Sequence, residues 1–256
     1  MNTLFEKAFD MTGKLVLITG GGTGLGFAMA RCFVAAGARV VITGRRGDVL
    51  REACAELGEN AYPRVFDVTQ TARAKDFIRT LEAELGPVDV LVNNAGRHCK
   101  KPMLDVTQED LQGVLDVHLL GAYALTQAVL PQMLARKTGS VLFISSMSAY
   151  LGMTQVTAYS AAKSAVLGLV KTISGEVAAH GVRVNAIAPG FIDTPMFRQA
   201  TSADLPRQQK ILGHTPMERY GDPMDVGWAA VYLSSPAASF ITGVCLPVDG
   251  GCSIGF

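Results

Sequence analysis

Short runs of consecutive apolar residues alternate with longer stretches whose apolar positions recur every three or four residues, almost from end to end of the chain. The short runs predict strands over 15–18, 39–42, 62–66, 88–92, 140–145, 182–187 and 244–248. Between them the pattern predicts helices over 24–36, 48–57, 71–85, 156–179 and 225–233. A further long helix starts near Thr107, and Pro131 is expected to interrupt its end. The strands are apolar on both alternations, as expected when helices cover both faces of a sheet. Strands separated by helical segments imply βαβ units and a parallel sheet.

No Ser/Pro-rich linker, charge block or internal repeat divides the chain, so residues 1–256 read as one α/β domain. Its expected architecture is a doubly wound parallel sheet with helices on both faces. The least regular stretch, 191–220, holds Pro195, Pro206 and Pro216. Such an excursion in a compact domain reads as a substrate lid, against the plainer reading of a surface insertion.

Composition narrows the partners. The 256 residues carry a net charge of +1, which gives no electrostatic footprint for nucleic acid. No uninterrupted apolar run approaches membrane-spanning length, and the start of the chain, with Glu6, Lys7 and Asp10, lacks an apolar signal core. A cytoplasmic protein without a membrane partner is expected. The five cysteines, at 32, 54, 99, 245 and 252, are odd in number and form no CxxC pair, which argues against a disulfide framework or a zinc site. His98, His118, His180 and His214 show no metal-ligand spacing, so no metal is expected.

The chemistry-bearing motifs sit at strand ends. Thr19-Gly20-Gly21-Gly22-Thr23-Gly24-Leu25-Gly26 follows the first strand and opens the first helix. Glycines there let backbone approach a ligand closely, and the helix N-terminus offers free N–H groups to a pyrophosphate. The strict G-x-G-x-x-G spacing is absent, and the pattern is T-G-x-x-x-G-x-G through Gly20, Gly24 and Gly26. A Rossmann-type dinucleotide site follows from its place as the first turn of an α/β chain. The second strand ends in Thr43-Gly44-Arg45-Arg46, where an NAD site usually has an acid. Two guanidinium forks suit the extra phosphate of NADP, with solvated arginines as the plainer reading and NAD as the alternative cofactor. Asp48 is an acid displaced from the usual place, and Thr23 stands where some NADP enzymes carry a basic residue.

Tyr159 and Lys163 lie four apart on a predicted helix, hence on one face, about 6 Å apart along its axis. A phenol is a poor base at neutral pH, and a neighbouring ammonium would lower its pKa. Ser146, thirteen residues upstream, ends strand five, where a hydroxyl can hold a carbonyl oxygen or an alkoxide. Ser145 is its rival.

Taken together, these motifs resemble the short-chain dehydrogenase/reductase family. They comprise the glycine turn, Asn93-Asn94-Ala95-Gly96, Ser146 with Tyr159 and Lys163, Pro189-Gly190, Ile241-Thr242-Gly243 and Val248-Asp249-Gly250-Gly251. The likeness runs from about Gly13 to Gly251. It implies Tyr159 as general acid or base, Lys163 as ligand of the nicotinamide ribose that also lowers the tyrosine pKa, and Ser146 as holder of the substrate oxygen. It implies that Asp67 and Val68 meet adenine, that Asn94, Ala95 and Gly96 line the cofactor cleft, and that Pro189, Gly190, Ile192 and Thr194 border the nicotinamide and phosphates. A homotetramer is implied as well. One position departs from the pattern: His118 stands where the family usually has an asparagine that helps hold a proton relay. Histidine can shuttle protons near neutral pH, and the plainer reading is a packed helix histidine.

The expected reaction is hydride transfer between NADP(H) and a small carbonyl or secondary alcohol. The loop Arg97-His98-Cys99-Lys100-Lys101 and the lead-in from Leu4 to Gly13 are similar to gluconate 5-dehydrogenase-like members, which suggests a sugar acid such as gluconate or 5-ketogluconate. A 3-oxoacyl thioester is the second candidate substrate, and a cofactor-binding regulator that lost catalysis at His118 is the rival from another class.

Overall fold

The computed structural model describes residues 3–195, 197–198 and 204–255. Seven strands form one parallel sheet in the order β3-β2-β1-β4-β5-β6-β7. They are β1 (Leu15–Thr19), β2 (Arg39–Gly44), β3 (Ala61–Val65), β4 (Val90–Asn93), β5 (Gly139–Ile144), β6 (Val182–Pro189) and β7 (Cys245–Val248). The order reverses between β1 and β4, so the crevice of a doubly wound sheet opens outside the carboxyl ends of those two strands.

Alternation along the strands sorts the core into two layers. Val16, Ile18, Val40, Ile42, Val92 and Leu142 face one side. There they meet α2 (Gly24–Ala35), α3 (Gly47–Leu57) and the last helix of the chain, α9 (Pro223–Ser234). Leu15, Leu17, Val41, Leu91, Val141 and Phe143 face the other. Their partners are α4 (Ala74–Leu85), α6 (Ala122–Arg136) and α7 (Thr157–Val177). Every residue of β1 is buried, because helices cover the central strand on both faces.

Several boundaries differ from the pattern. A capped helix α1 (Leu4–Phe9) precedes the sheet, where the lead-in showed no periodicity. The predicted 71–85 helix opens as a 3-10 turn, Thr71–Arg73. Thr107 caps α5 (Gln108–Leu115) rather than joining it, with Asp110 completing a capping box. Pro131 does not interrupt its helix, which continues to Arg136. The missing N–H removes one bond, while Val129 and Met133 on either side are locked in the core. Part of the irregular stretch forms α8 (Leu205–Gly213). Of the expected lid, Met196 and residues 199–203 lie outside the described residues.

Between α5 and α6 the chain forms one π-helical segment, Asp116–Gly121. The whole stretch Gln108–Arg136 is long and apolar enough to cross a membrane by length and composition alone. In this fold Leu125, Val129 and Met133 of that stretch are fully buried against the sheet.

Phe143 is 1% exposed in the second layer. Phe143→Ala should destabilise the fold by about 3–5 kcal/mol. Urea unfolding checks this; an unchanged midpoint would show that the site is not packed as described.

Candidate active site

The glycine turn begins where β1 ends. Gly20 has φ +64 and Gly24 φ +55, conformations that disfavour other residues. A Cβ on Gly26 would collide with the carbonyl of Gly20 and lie 2.6 Å from Asn94 Nδ2. The first turn of α2 therefore lies directly over the strand end. Thr23, the N-cap of α2, makes no side-chain cap bond, so the leading N–H groups of Gly24, Leu25 and Gly26 point out uncapped. Gly22 packs beside Val49 and Leu50. Uncapped amides behind a glycine cradle are the donor set a pyrophosphate needs.

Thr19 ties this turn to the end of β4, and sequence reading missed it. Its Oγ1 accepts from Asn94 N and Ala95 N, both at 2.9 Å. The Asn94 side chain donates from Nδ2 to Thr19 O at 2.8 Å and to Gly20 O at 3.2 Å. Its place directly before Gly20 was the available signal. Asn94 thus acts as a staple across the crevice floor, more than a strand-end turn.

At the end of β2, Arg45 and Arg46 are exposed, and neither forms an ion pair among the described residues. Asp48 lies exposed in the first turn of α3. Asp67 accepts from Thr69 N at 3.0 Å and Thr69 Oγ1 at 2.8 Å, so it shapes the turn after β3, and Val68 is buried. On the far side, Pro189 ends β6 and Gly190 lies so close to β7 that a Cβ would sit 2.6 Å from Asp249 Cα. The Ile192 side chain is buried, and its backbone bridges to Gly221. Thr194 Oγ1 accepts from Phe197 N at 3.2 Å.

The catalytic candidates meet beyond β5. Ser146 lies near enough to the Tyr159 hydroxyl to favour its anion. Ser145 points elsewhere, its hydroxyl donating to Lys163 O at 3.1 Å, so Ser146 is the one that faces the tyrosine. Lys163 is buried; its Nζ donates to Ile144 O at 2.5 Å and lies 5.5 Å from the Tyr159 ring centre. Burial brings the lysine pKa down to about 7. Burial also pushes the Tyr159 phenol above its ordinary value, and Ser146 opposes that rise. The expected lowering by the ammonium is not found: Lys163 is held on the Ile144 carbonyl, and burial dominates at the phenol.

His118 lies in the π-helical segment and is 5% exposed. Its ring meets the Tyr159 ring edge-on, with centres 5.2 Å apart. Its pKa falls to about 3 through burial first and then the charge of Lys163, against the bond with Arg97, which raises it. That shift disfavours the imidazolium on which a proton shuttle at neutral pH would depend. In the loop after β4, Lys101 pairs with Asp110 at 2.6 Å, while Arg97 and Lys100 are exposed.

A family model described as enoyl-(acyl carrier protein) reductase matches residues 20–253, so it spans both halves of this crevice. The chain belongs to the short-chain dehydrogenase/reductase family. Among curated relatives of this dehydrogenase/reductase, the 5-keto-D-gluconate 5-reductase of Escherichia coli K12 is 37% identical over 254 residues, covering 98% of each chain. The 2-dehydro-3-deoxy-D-gluconate 5-dehydrogenase of Formosa agariphila is 36% identical over 247 residues, 95% of this chain and 94% of its own. The solved gluconate 5-dehydrogenase from Burkholderia cenocepacia, in complex with NADP and tartrate, superposes with a TM-score of 0.93 at 32% identity, covering 98% of this chain and 100% of that one.

Gly26→Ala should push α2 off the end of β1. Overpacking of about 1–3 kcal/mol, expressed at the cofactor cradle, corresponds to roughly a 5- to 150-fold loss of NADPH affinity. Fluorescence titration with NADPH reads it, and undiminished affinity would remove the cradle from the cofactor site.

Proposed function

We propose that this protein is an NADP(H)-dependent oxidoreductase that interconverts a carbonyl and a secondary alcohol on a sugar acid of the gluconate/5-ketogluconate type. The observation that carries the reading is the convergence of Ser146, Tyr159 and Lys163 at the carboxyl end of β5, with Lys163 Nζ 5.5 Å from the centre of the Tyr159 ring.

The uncapped start of α2 and the glycine cradle would hold the pyrophosphate, and Arg45 with Arg46 would take the ribose phosphate that distinguishes NADP. The bound dinucleotide supplies the hydride. Ser146 Oγ orients the substrate oxygen. The Tyr159 phenol, raised by burial, is protonated at neutral pH and gives its proton to that oxygen as the alkoxide forms. In the reverse direction the phenolate must form first, so alcohol oxidation gains rate as pH rises. Lys163 Nζ, already oriented by Ile144 O, lies beneath the tyrosine as the ligand for the ribose.

Arg97 and Lys100 give the mouth of the crevice positive charge, which favours an anionic substrate. The relatives named for ketogluconate and ketodeoxygluconate chemistry support a sugar acid over a thioester. The assembled Ser146, Tyr159 and Lys163 speak for catalysis over a purely cofactor-sensing role. The stretch 191–220 is the proposed lid: Ile192 and Gly221 join its two ends, and Phe197 packs on Tyr220 with ring centres 4.9 Å apart.

We assign the protein to the cytoplasm, consistent with five free cysteines. We also read it as a homotetramer. Leu120 and Tyr123 are 43% and 45% exposed on the helical side, and Phe240, Val244 and Tyr150 are exposed near the edge strand β7. Light scattering should give a particle four times the 27.1 kDa chain; a monomer would remove this assignment.

With NADPH and 5-ketogluconate the protein should oxidise the cofactor, faster than with NADH, and Tyr159→Phe should lose about 10²–10⁴-fold in kcat. Alcohol oxidation should accelerate from pH 7 to 10. The panel includes a neutral diketone and a 3-oxoacyl thioester. Turnover confined to either, with none on sugar acids, would overturn the substrate class.

A further inference from the structure

Three features near Tyr159 have no part in the chemistry above. His118 is buried in the chain's π-helical segment, a feature that often marks functional sites. Its Nε2 lies 2.9 Å from Arg97 N and 2.8 Å from Arg97 O. Gly96, directly before, is what lets the ring come so close: a Cβ there would lie 2.9 Å from His118 Cε1. The Arg97 side chain in turn lies over Gly113 of α5, where any Cβ would displace its guanidinium. A glycine inside a helix weakens it, so this one is explained by the room it leaves.

The ring can serve Arg97 in only one way at a time. Nε2 either accepts from the Arg97 N–H or donates to its carbonyl, depending on tautomer. An imidazolium would need an acceptor for Nδ1 as well, and buried Nδ1 has no partner among the described residues. The groups facing the ring are Lys163 and Tyr159 from α7 and His98 with the Arg97 backbone from the loop after β4. None of these is a carboxylate that would favour a charged ring.

We infer that His118 is a positioning residue: a neutral imidazole wedge that holds the Gly96–Arg97 backbone through Nε2 and props the Tyr159 ring by its edge. It aligns the cofactor wall and the substrate loop with the acid, without exchanging a proton. The inference rests on the oxidoreductase reading for its effect on rate, and on geometry alone for the state of the ring.

Two measurements test it. In the wild-type protein, NMR of the histidine ring signals between pH 5 and 8 should show His118 unmoved while other histidines titrate. A midpoint for His118 between pH 5.5 and 7.5 would overturn the proposal, and this arm requires no turnover. In carbonyl reduction, His118→Ala should lose about tenfold or more in kcat/KM, by one factor at every pH from 6 to 9. His118→Gln, whose amide can still bond Arg97, should recover most of that loss. A loss confined to one side of the pH profile, or full activity in His118→Ala, would also sink the idea. Melting curves accompany both variants; if the alanine variant does not fold, the glutamine variant and the wild-type titration decide. No turnover by the wild type on any carbonyl would count against the functional reading, while the ring titration would still judge His118.

Discussion

Lys163 Nζ is sealed between the carbonyl of Ile144 and the face of Tyr159. An amine in that position loses its water and keeps one oxygen partner, so burial brings its pKa to about 7. The neighbours follow from this. The phenol of Tyr159 is raised because the same burial disfavours its anion. The imidazole of His118 is kept neutral by burial first, and the amine beside it adds to that. Shared burial thus sets which groups hold protons, with the lysine charge adding to it at His118, and it leaves Tyr159 as the protonated acid near Ser146.

That pocket exists because the sheet delivers its parts to one edge. β1, β4, β5 and β6 are parallel and adjacent or nearly so, so their carboxyl ends lie side by side. The glycine turn, the Asn94 staple, Ser146 and Gly190 each follow one of these strands. Close approach does the rest. Gly26 lets α2 sit on Gly20 and Asn94, and Gly190 lets β6 meet the turn after β7. Larger residues at either place would separate the layers between which a dinucleotide of this family lies.

Lys101 pairs with Asp110 and anchors its N–H on Gln155 O, so it shapes the loop in which Arg97 and Lys100 stay exposed. His118 takes the position of a family asparagine by recruiting Gly96 for space. Its ring holds the Arg97 backbone at the crevice wall while Lys163 stays against Tyr159.

Alternating apolar and amphipathic stretches determined the doubly wound sheet from the sequence alone, because two-sided burial leaves uniformly apolar strands. Ordered motifs at strand ends likewise determined the crevice and its candidate residues, since close approach and proton transfer demand particular side chains at particular places. Local pattern missed what long-range packing decides. Pro131 stays inside a helix because the core holds both flanks, and Thr19 becomes a hub only once β4 lies beside β1. The choice of Ser146 over Ser145 depends on which hydroxyl approaches Tyr159 and which is tied to the Lys163 carbonyl. The protonation states of Tyr159, Lys163 and His118 were decided by tertiary structure alone: they depend on desolvation and on charges brought together from distant parts of the chain, which no local spacing encodes.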